Sequence, residues 1–128
     1  MIFVDSNLFV YAVGKSHPLR SEAQKFFLDA ATKRITLATS AEVLQELLHI
    51  YLPVDRTETL DNALQLATDS IDQIFDVTAD SVIQARMLAD QFSFLSARDL
   101  IHLSVCRLNN ITQIKTFDRN LAAAFRKK

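Results

Sequence analysis

Short runs rich in apolar residues alternate along the chain with longer segments in which apolar and polar positions repeat at the period of a helix. Four of the short runs predict strands: Met1–Val4, Ile35–Ala38, Ile74–Val77 and Ile111–Lys115. Short apolar runs of this kind are typical of parallel strands, because both faces of such a strand are buried. The first run is followed directly by Asp5, where its apolar character ends.

The segments between these runs place apolar residues three and four positions apart, as amphipathic helices do. They predict six helices and a short seventh one after Asp118: Ser6–Val13, Pro18–Ala31, Ser40–Tyr51, Asp55–Ile71, Thr78–Phe92 and Ser96–Leu108. Gly14 is the only glycine of the chain, and its position predicts a left-handed end of the first helix.

The alternation of strands and helices predicts the fold class. Parallel strands need crossover connections, and the crossing helices pack against the faces of the sheet. We therefore expect an α/β fold, a three-layer α/β/α domain with a central parallel sheet and helices on both faces. No internal repeat, linker or low-complexity stretch divides the sequence, so residues 1–128 are predicted to form a single domain.

Composition narrows the choice of fold and of function. One Gly and two Pro are too few for the many turns of a β-sandwich or β-barrel. The formal net charge of −1 does not predict a strongly basic nucleic-acid-binding surface, so contact with a polyanion would need a local patch or a bound metal.

Cys106 is the only cysteine, which excludes an internal disulfide and a multi-cysteine zinc site and suits the reducing cytoplasm. The apolar run Leu8–Val13 is too short to span a membrane, so no membrane partner is expected.

Two acidic residues follow predicted strands at the end where parallel sheets bind ligands. Asp5 comes after the first strand and Asp118 after the last one. An acid in this position is by itself usually a helix cap, but two of them at the same edge of one sheet favour a chemical role.

Two further acids are candidates whose roles the pattern leaves open. Asp99 lies three residues after Ser96, which is the spacing of a capping box, and it would also lie in the first turn of a helix that begins near the crevice. On the helix Ser40–Tyr51, Glu42 and Glu46 share the polar face one turn apart, so periodicity does not decide which of them points into a site.

Several carboxylates gathered at one edge of a sheet repel one another, and a bound divalent cation relieves that repulsion. Oxygen ligands select hard ions such as Mg²⁺ or Mn²⁺ over zinc or copper. Such ions activate water and stabilise the oxygens of a phosphodiester displacement. The acids therefore favour a metal-dependent phosphodiesterase.

Four short motifs carry a resemblance that extends over the chain. The opening Ile-Phe-Val-Asp-Ser-Asn at 2–7 resembles the Asp-Thr-Asn start of PIN-domain proteins, especially the VapC toxins of toxin–antitoxin pairs, with Ser6 in place of the common Thr. Ser40, followed six residues later by Glu46, looks like the second motif, and this spacing selects Glu46 over Glu42. Leu-Ser-Ala-Arg-Asp at 95–99 looks like the third motif, and Thr-Phe-Asp at 116–118 is similar to the fourth.

The resemblance implies a metal-binding and catalytic set of four acids, Asp5, Glu46, Asp99 and Asp118, with Asn7 and Thr116 orienting ligands from the second shell. It also implies a Mg²⁺- or Mn²⁺-dependent endoribonuclease that acts on structured RNA, often transfer RNA. The expected partners are a second copy of the chain and a VapB-type antitoxin.

Other residues and other protein classes fit the sequence less well. His102 and His49 stay outside the predicted site, because a single helical His is more often a packed residue. A haloacid-dehalogenase-type phosphatase would need a second Asp where Asn7 stands, and a receiver domain would need a better-placed phospho-acceptor than Asp76 or Asp80. The remaining alternative is a PIN-like module that binds RNA or protein without catalysis, against which the presence of all four acids argues.

Overall fold

The structure is a computed structural model that describes residues 1–127. In that range four strands form one parallel sheet: β1 (Ile2–Val4), β2 (Leu37–Ser40), β3 (Gln73–Phe75) and β4 (Gln113–Lys115). Seven α-helices accompany them: α1 (Ser6–Val13), α2 (Pro18–Lys33), α3 (Ala41–Tyr51), α4 (Thr57–Ser70), α5 (Ala79–Ala89), α6 (Ala97–Leu108) and α7 (Arg119–Phe125). A 3-10 turn, Leu52–Val54, follows α3 at Pro53.

The strand order β3-β2-β1-β4 places β1 in the middle of the sheet. Ile2 of β1 pairs with Leu37 on one side and with Gln113 on the other. The chain winds outward from β1 to β3 on one side and returns to the other side with β4, so the order reverses beside β1. In open parallel sheets the ligand crevice lies at such a reversal, beyond the carboxyl ends of the strands. The predicted α/β fold class with its central parallel sheet is confirmed.

The apolar core divides into two clusters. One contains Phe3 and Val4 of the central strand together with buried residues of α1, α2, α3 and α4. The other joins α5, α6 and α7 and includes Phe92 and Leu121. Ile114 of β4 packs against both clusters and links them. Within residues 1–127, none of the helices combines the length and the apolar character needed to cross a bilayer.

Strand β2 begins two residues later than the predicted Ile35–Ala38. Arg34 ends α2 in the left-handed conformation (φ 56°), and the amide of Ile35 donates to the carbonyl of Ala30, so this residue still belongs to the end of the helix. The strand continues instead through Thr39 and Ser40, which are polar but fully buried. Both hydroxyl groups have hydrogen-bond partners, because Thr39 Oγ1 donates to the carbonyl of Val4 on the neighbouring strand and Ser40 Oγ accepts from the amide of Val43.

The predicted left-handed helix end at Gly14 is wrong. Gly14 follows α1 in an extended conformation (φ −80°, ψ −172°). A Cβ atom at this position would lie 2.8 Å from the carbonyl oxygen of Val10, so close backbone approach is what requires glycine here.

Candidate metal centre

Asp5 lies at the carboxyl end of β1 and is the N-cap of α1. Its side chain is almost fully buried, and both carboxylate oxygens accept hydrogen bonds. Oδ1 accepts from the amide of Ser6 at 2.7 Å, and Oδ2 accepts from the hydroxyl of Thr116 at 2.6 Å and from the side-chain amide of Asn7 at 3.4 Å. Asp5 is therefore fixed in one orientation by residues from both ends of the chain.

Glu46 reaches the same place from helix α3. The apolar face of this helix is buried through Val43, Leu47 and Tyr51, which turns the polar face toward the crevice. Glu46 Oε2 accepts from the hydroxyl of Ser6 at 2.9 Å, and Oε1 lies 2.5 Å from Nε2 of His102.

Glu42, the alternative one turn earlier, has a different neighbour. Its Oε1 atom lies 3.9 Å from Nε of Arg98 at the start of α6. The structure thus places Glu46 beside Asp5 and Glu42 in an ion pair.

The tightest group of ligand-type atoms consists of one atom each from Asp5, Glu46 and His102, all within 4.8 Å of one another. His102 is fully buried on α6, with Nε2 3.8 Å from Oδ1 of Asp5. Since two carboxylates converge here from β1 and α3, this group marks the centre of the candidate site.

Asp99 and Asp118 lie at the starts of α6 and α7 and do not join the group at that distance. In α6 the hydroxyl of Ser96 accepts from the amide of Asp99, so the predicted cap is present. Oδ1 of Asp118 accepts from the amides of Asn120 and Leu121 and caps α7. Asp99 is nevertheless close enough to the other acids to be affected by their charges, because Asp5 and Asp118 add to the effect of burial in raising the pKa of Asp99.

The carboxylates of the site have perturbed proton affinities. Burial raises the pKa of Asp5 above its ordinary value, against the opposing effects of His102 and Thr116. Burial and then the charges of Asp5 and Asp118 raise the pKa of Asp99. Burial and neighbouring carboxylates thus both disfavour ionisation of these acids, and a bound divalent cation would offset both effects.

The pKa values of Glu46 and His102 change in the direction opposite to the one that burial alone would cause. Burial favours the neutral form of Glu46, but the hydrogen bond and charge of His102 outweigh it and lower the carboxyl pKa. Burial likewise disfavours the charged imidazole, but Glu46 and the other acids raise the pKa of His102. The two side chains therefore stabilise each other's charged forms.

The donor set fits a hard divalent cation. Four carboxylates surround one edge of the sheet, and two of them, from Asp5 and Glu46, already converge. Oxygen donors of this kind suit Mg²⁺ or Mn²⁺, and the single nitrogen among the near atoms belongs to His102.

Thr116 and Asn7, which the resemblance assigns to the orientation of ligands, both contact Asp5. Thr116 Oγ1 contacts Asp5 and also accepts from the amide of Asp118, which joins two acids of the set. Asn7 donates to Asp5 and Thr116 through Nδ2, and its Oδ1 accepts from the amide of Phe117.

Two residues of the site were not identified from sequence. The first motif predicts no role for Ser6, yet the hydroxyl of Ser6 donates to Glu46. The predicted site does not include His102, although its position one turn after Asp99 indicates that it faces the same crevice.

Comparison with known proteins gives matches over nearly the whole chain. The family described as PIN domain matches residues 2–127. The chain is 49% identical over 126 residues to ribonuclease VapC23 of Mycobacterium tuberculosis, which covers 98% of this chain and 99% of that protein. It is 37% identical over 119 residues to ribonuclease VapC13 of the same organism, with 93% and 91% covered.

Two solved structures resemble the fold. VapC20 of Mycobacterium tuberculosis, a toxin that cleaves the sarcin–ricin loop, superposes with a TM-score of 0.75 at 22% identity and covers 97% of this chain and 95% of its own. VapBC2 of Rickettsia felis, in complex with a promoter DNA fragment, gives a TM-score of 0.69 at 24% identity, with 92% and 88% covered. At these identities the likeness concerns the fold.

Proposed function

The chain belongs to the PIN-domain family and is a ribonuclease of the VapC type, and from this premise we propose that it cleaves RNA with a divalent metal held by four acids: Asp5, Glu46, Asp99 and Asp118. The observation that carries the proposal is the convergence of Asp5 and Glu46 from separate elements on one buried point. The negative charges of the two carboxylates repel each other, and a hard cation bound between their oxygens would offset that repulsion. Mg²⁺ or Mn²⁺ is the ion of choice for these ligands.

Each residue of the set has a separate task. Asp5 and Glu46 are the inner ligands, since Asp5 is buried, Glu46 is partly buried, and both are held by hydrogen bonds. Asp99 and Asp118 stand at the starts of α6 and α7, where they add negative charge at the mouth of the site. Thr116 and Asn7 keep Asp5 oriented.

A divalent ion held by these carboxylates would supply Lewis acidity and would lower the pKa of the water that attacks the phosphodiester. The chain's own part is to hold the ligands in advance, because the acids sit on the ends of rigid elements rather than on a long loop. The ion also offsets the negative charge that would otherwise repel RNA from a protein of net charge −1.

The biological setting follows from the relatives. We propose that the chain is the toxin of a toxin–antitoxin pair, with a VapB-type antitoxin as its partner, structured RNA such as transfer RNA as its substrate, and the cytoplasm as its location. Residues 1–128 form one PIN domain in this proposal.

We also propose that the chain forms a homodimer. Helix α5 supports this proposal, because Val82, Ile83 and Met87 expose apolar side chains next to an apolar groove between α5 and α6. Apolar residues clustered on one exposed helix are typical of a surface that is covered by another protein.

The experiment that tests the catalytic proposal is cleavage of a mixed transfer RNA pool by antitoxin-free protein with Mg²⁺ or Mn²⁺. We expect cleavage that is abolished by chelator and by Asp99→Asn, a substitution that keeps the side-chain size and removes the charge. No Mg²⁺ or Mn²⁺ binding in calorimetry, together with an RNA affinity that Asp99→Asn leaves unchanged, would instead favour a PIN module that binds RNA or protein without catalysis.

A further inference from the structure

His102 lies at the centre of the acidic site although the four-carboxylate set does not include it. The side chain is fully buried on α6, and its ring packs against Phe3 of the central strand at 5.6 Å between centroids. Nε2 lies 2.5 Å from Oε1 of Glu46 and 3.8 Å from Oδ1 of Asp5. A buried polar ring in this place needs a physical reason, since an apolar side chain would fill the same space without losing hydration.

The contact with Glu46 fixes the direction of the hydrogen bond. An ionised carboxylate only accepts, so Nε2 of His102 is the donor and carries a hydrogen. The other ring nitrogen, Nδ1, is buried and has no hydrogen-bond partner among the described residues.

These two nitrogens distinguish a positioning role from direct ligation. A metal-bound Nε2 would have to give up its hydrogen and with it the hydrogen bond to Glu46. Histidines that ligate metals usually donate their second nitrogen to a carboxylate, a carbonyl or water, and none of residues 1–127 offers Nδ1 of His102 such a carboxylate or carbonyl.

Glu46 gains most from a fixed neighbour. Its side chain is long and flexible and extends from a helix, whereas Asp5 is short and is held by Ser6, Thr116 and Asn7. His102 Nε2 holds one oxygen of Glu46 while the hydroxyl of Ser6 holds the other. A carboxylate fixed through both oxygens loses less rotamer freedom when it binds an ion.

We propose that His102 is a positioning residue that holds the carboxylate of Glu46 toward Asp5 through an Nε2–H hydrogen bond and so prepares the site for a divalent cation. This inference rests on the proposed metal-dependent function and adds a residue to it. His102 touches Glu46 rather than RNA or the ion, so it acts on metal affinity and ligand order and not on the reacting atoms.

The test compares two polar substitutions of His102. The amide nitrogen of His102→Gln reaches the position of Nε2 and can still donate to Glu46, whereas that of His102→Asn reaches only the position of Nδ1. Mn²⁺ titration by calorimetry should give an affinity that is about 10- to 100-fold weaker in His102→Asn and is largely restored in His102→Gln. Thermal unfolding of both variants without metal serves as the control for a merely structural effect.

Three results separate this inference from the proposed function. Equal Mn²⁺ affinities of wild type, His102→Asn and His102→Gln, with Asp99→Asn weakened, would overturn the role of His102 and leave the metal site intact. Equal losses of affinity in the two His102 variants would also overturn it, because a donor at the Nε2 position would then be irrelevant. No Mn²⁺ binding by the wild type would refute the proposed function itself.

Electron spin echo spectroscopy of Mn²⁺ bound to the unmodified protein provides a measurement that does not depend on any variant folding. A positioning role predicts no strong nitrogen coupling from a directly coordinated imidazole. The appearance of that coupling would make His102 a metal ligand and overturn the inference.

Discussion

The hydroxyl of Thr116 lies 2.6 Å from Oδ2 of Asp5, although 111 residues separate the two in sequence. The contact joins the end of β4 to the end of β1, which are neighbours in the sheet. The geometry of the metal centre therefore depends on the pairing of β1 with β4.

Thr116→Val is expected to weaken metal binding and RNA cleavage by about 10- to 100-fold, the usual cost of losing a second-shell partner of a ligand. Valine keeps the shape of threonine but cannot donate to Asp5 or accept from the amide of Asp118. Thr116→Ser, which keeps the hydroxyl, is the matched control and should stay near wild type. Mn²⁺ calorimetry and initial cleavage rates measure both effects, and identical values for Val and Ser would contradict the assigned role.

The fold could be predicted from sequence because its determinants are local. Short apolar runs and helical periodicity give the order of the elements, and parallel pairing follows from their alternation. The predicted bounds of β2 lie two residues too early, because Thr39 and Ser40 are buried polar residues with bonded hydroxyl groups. A search for apolar runs does not include such residues in a strand. Burial of a polar residue depends on partners that are distant in sequence, here the carbonyl of Val4.

The site could be predicted only in part. The choice of Glu46 over Glu42 came from the resemblance, and the physical difference between them is that Ser6 and His102 bond to Glu46 while Arg98 lies near Glu42. None of these neighbours is close to the helix in sequence, so periodicity could not distinguish the two acids. Sequence patterns do not identify His102 as a site residue for the same reason, because it comes close to Asp5 and Glu46 only when α6 packs against the sheet.

Leu47→Ala tests whether core packing of α3 maintains the fold beneath the site. Leu47 is fully buried in the main cluster, so its truncation should lower the free energy of unfolding by about 2 to 5 kcal/mol. Leu48, its neighbour on the same helix, is 40% exposed, and Leu48→Ala should change stability far less. Urea titration followed by circular dichroism measures both variants, and equal destabilisation would mean that the burial of this helix has been misassigned.

The exposed face of α5 tests the proposed homodimer. Ile83 and Met87 are 62% and 67% exposed, and a lysine at either position would be forced into an apolar contact if a second copy covers them. Ile83→Lys is expected to shift the antitoxin-free protein toward monomer in light scattering, while Leu28→Lys on α2, where the leucine is 66% exposed, serves as a control distant in sequence. If the dimer remains intact in Ile83→Lys as well as in the control Leu28→Lys, α5 is not the dimer interface.

Asp99→Asn should affect stability in opposite directions with and without metal. Because burial, Asp5 and Asp118 raise the pKa of Asp99 in the folded protein above its ordinary value of 3.8, the folded state holds this proton more tightly than the unfolded state does. The corresponding stabilisation is therefore present below the unfolded pKa and is lost as the pH rises through the raised folded pKa. Near neutral pH, ionised Asp99 destabilises the protein when chelator removes all metal.

Asparagine does not ionise, so in chelator the melting temperature of Asp99→Asn should exceed that of wild type near neutral pH, and the difference should shrink as the pH falls through the raised folded pKa toward 3.8. Saturating Mn²⁺ should reverse the order, because a bound ion stabilises the folded wild type by mass action and the variant has lost a carboxylate for it. Differential scanning calorimetry over a pH series, with chelator and with Mn²⁺, measures both effects. If Asp99→Asn is less stable than wild type in chelator near neutral pH, Asp99 is a structural cap whose charge the fold already compensates. The repulsion assigned to the acids of this site would then be absent.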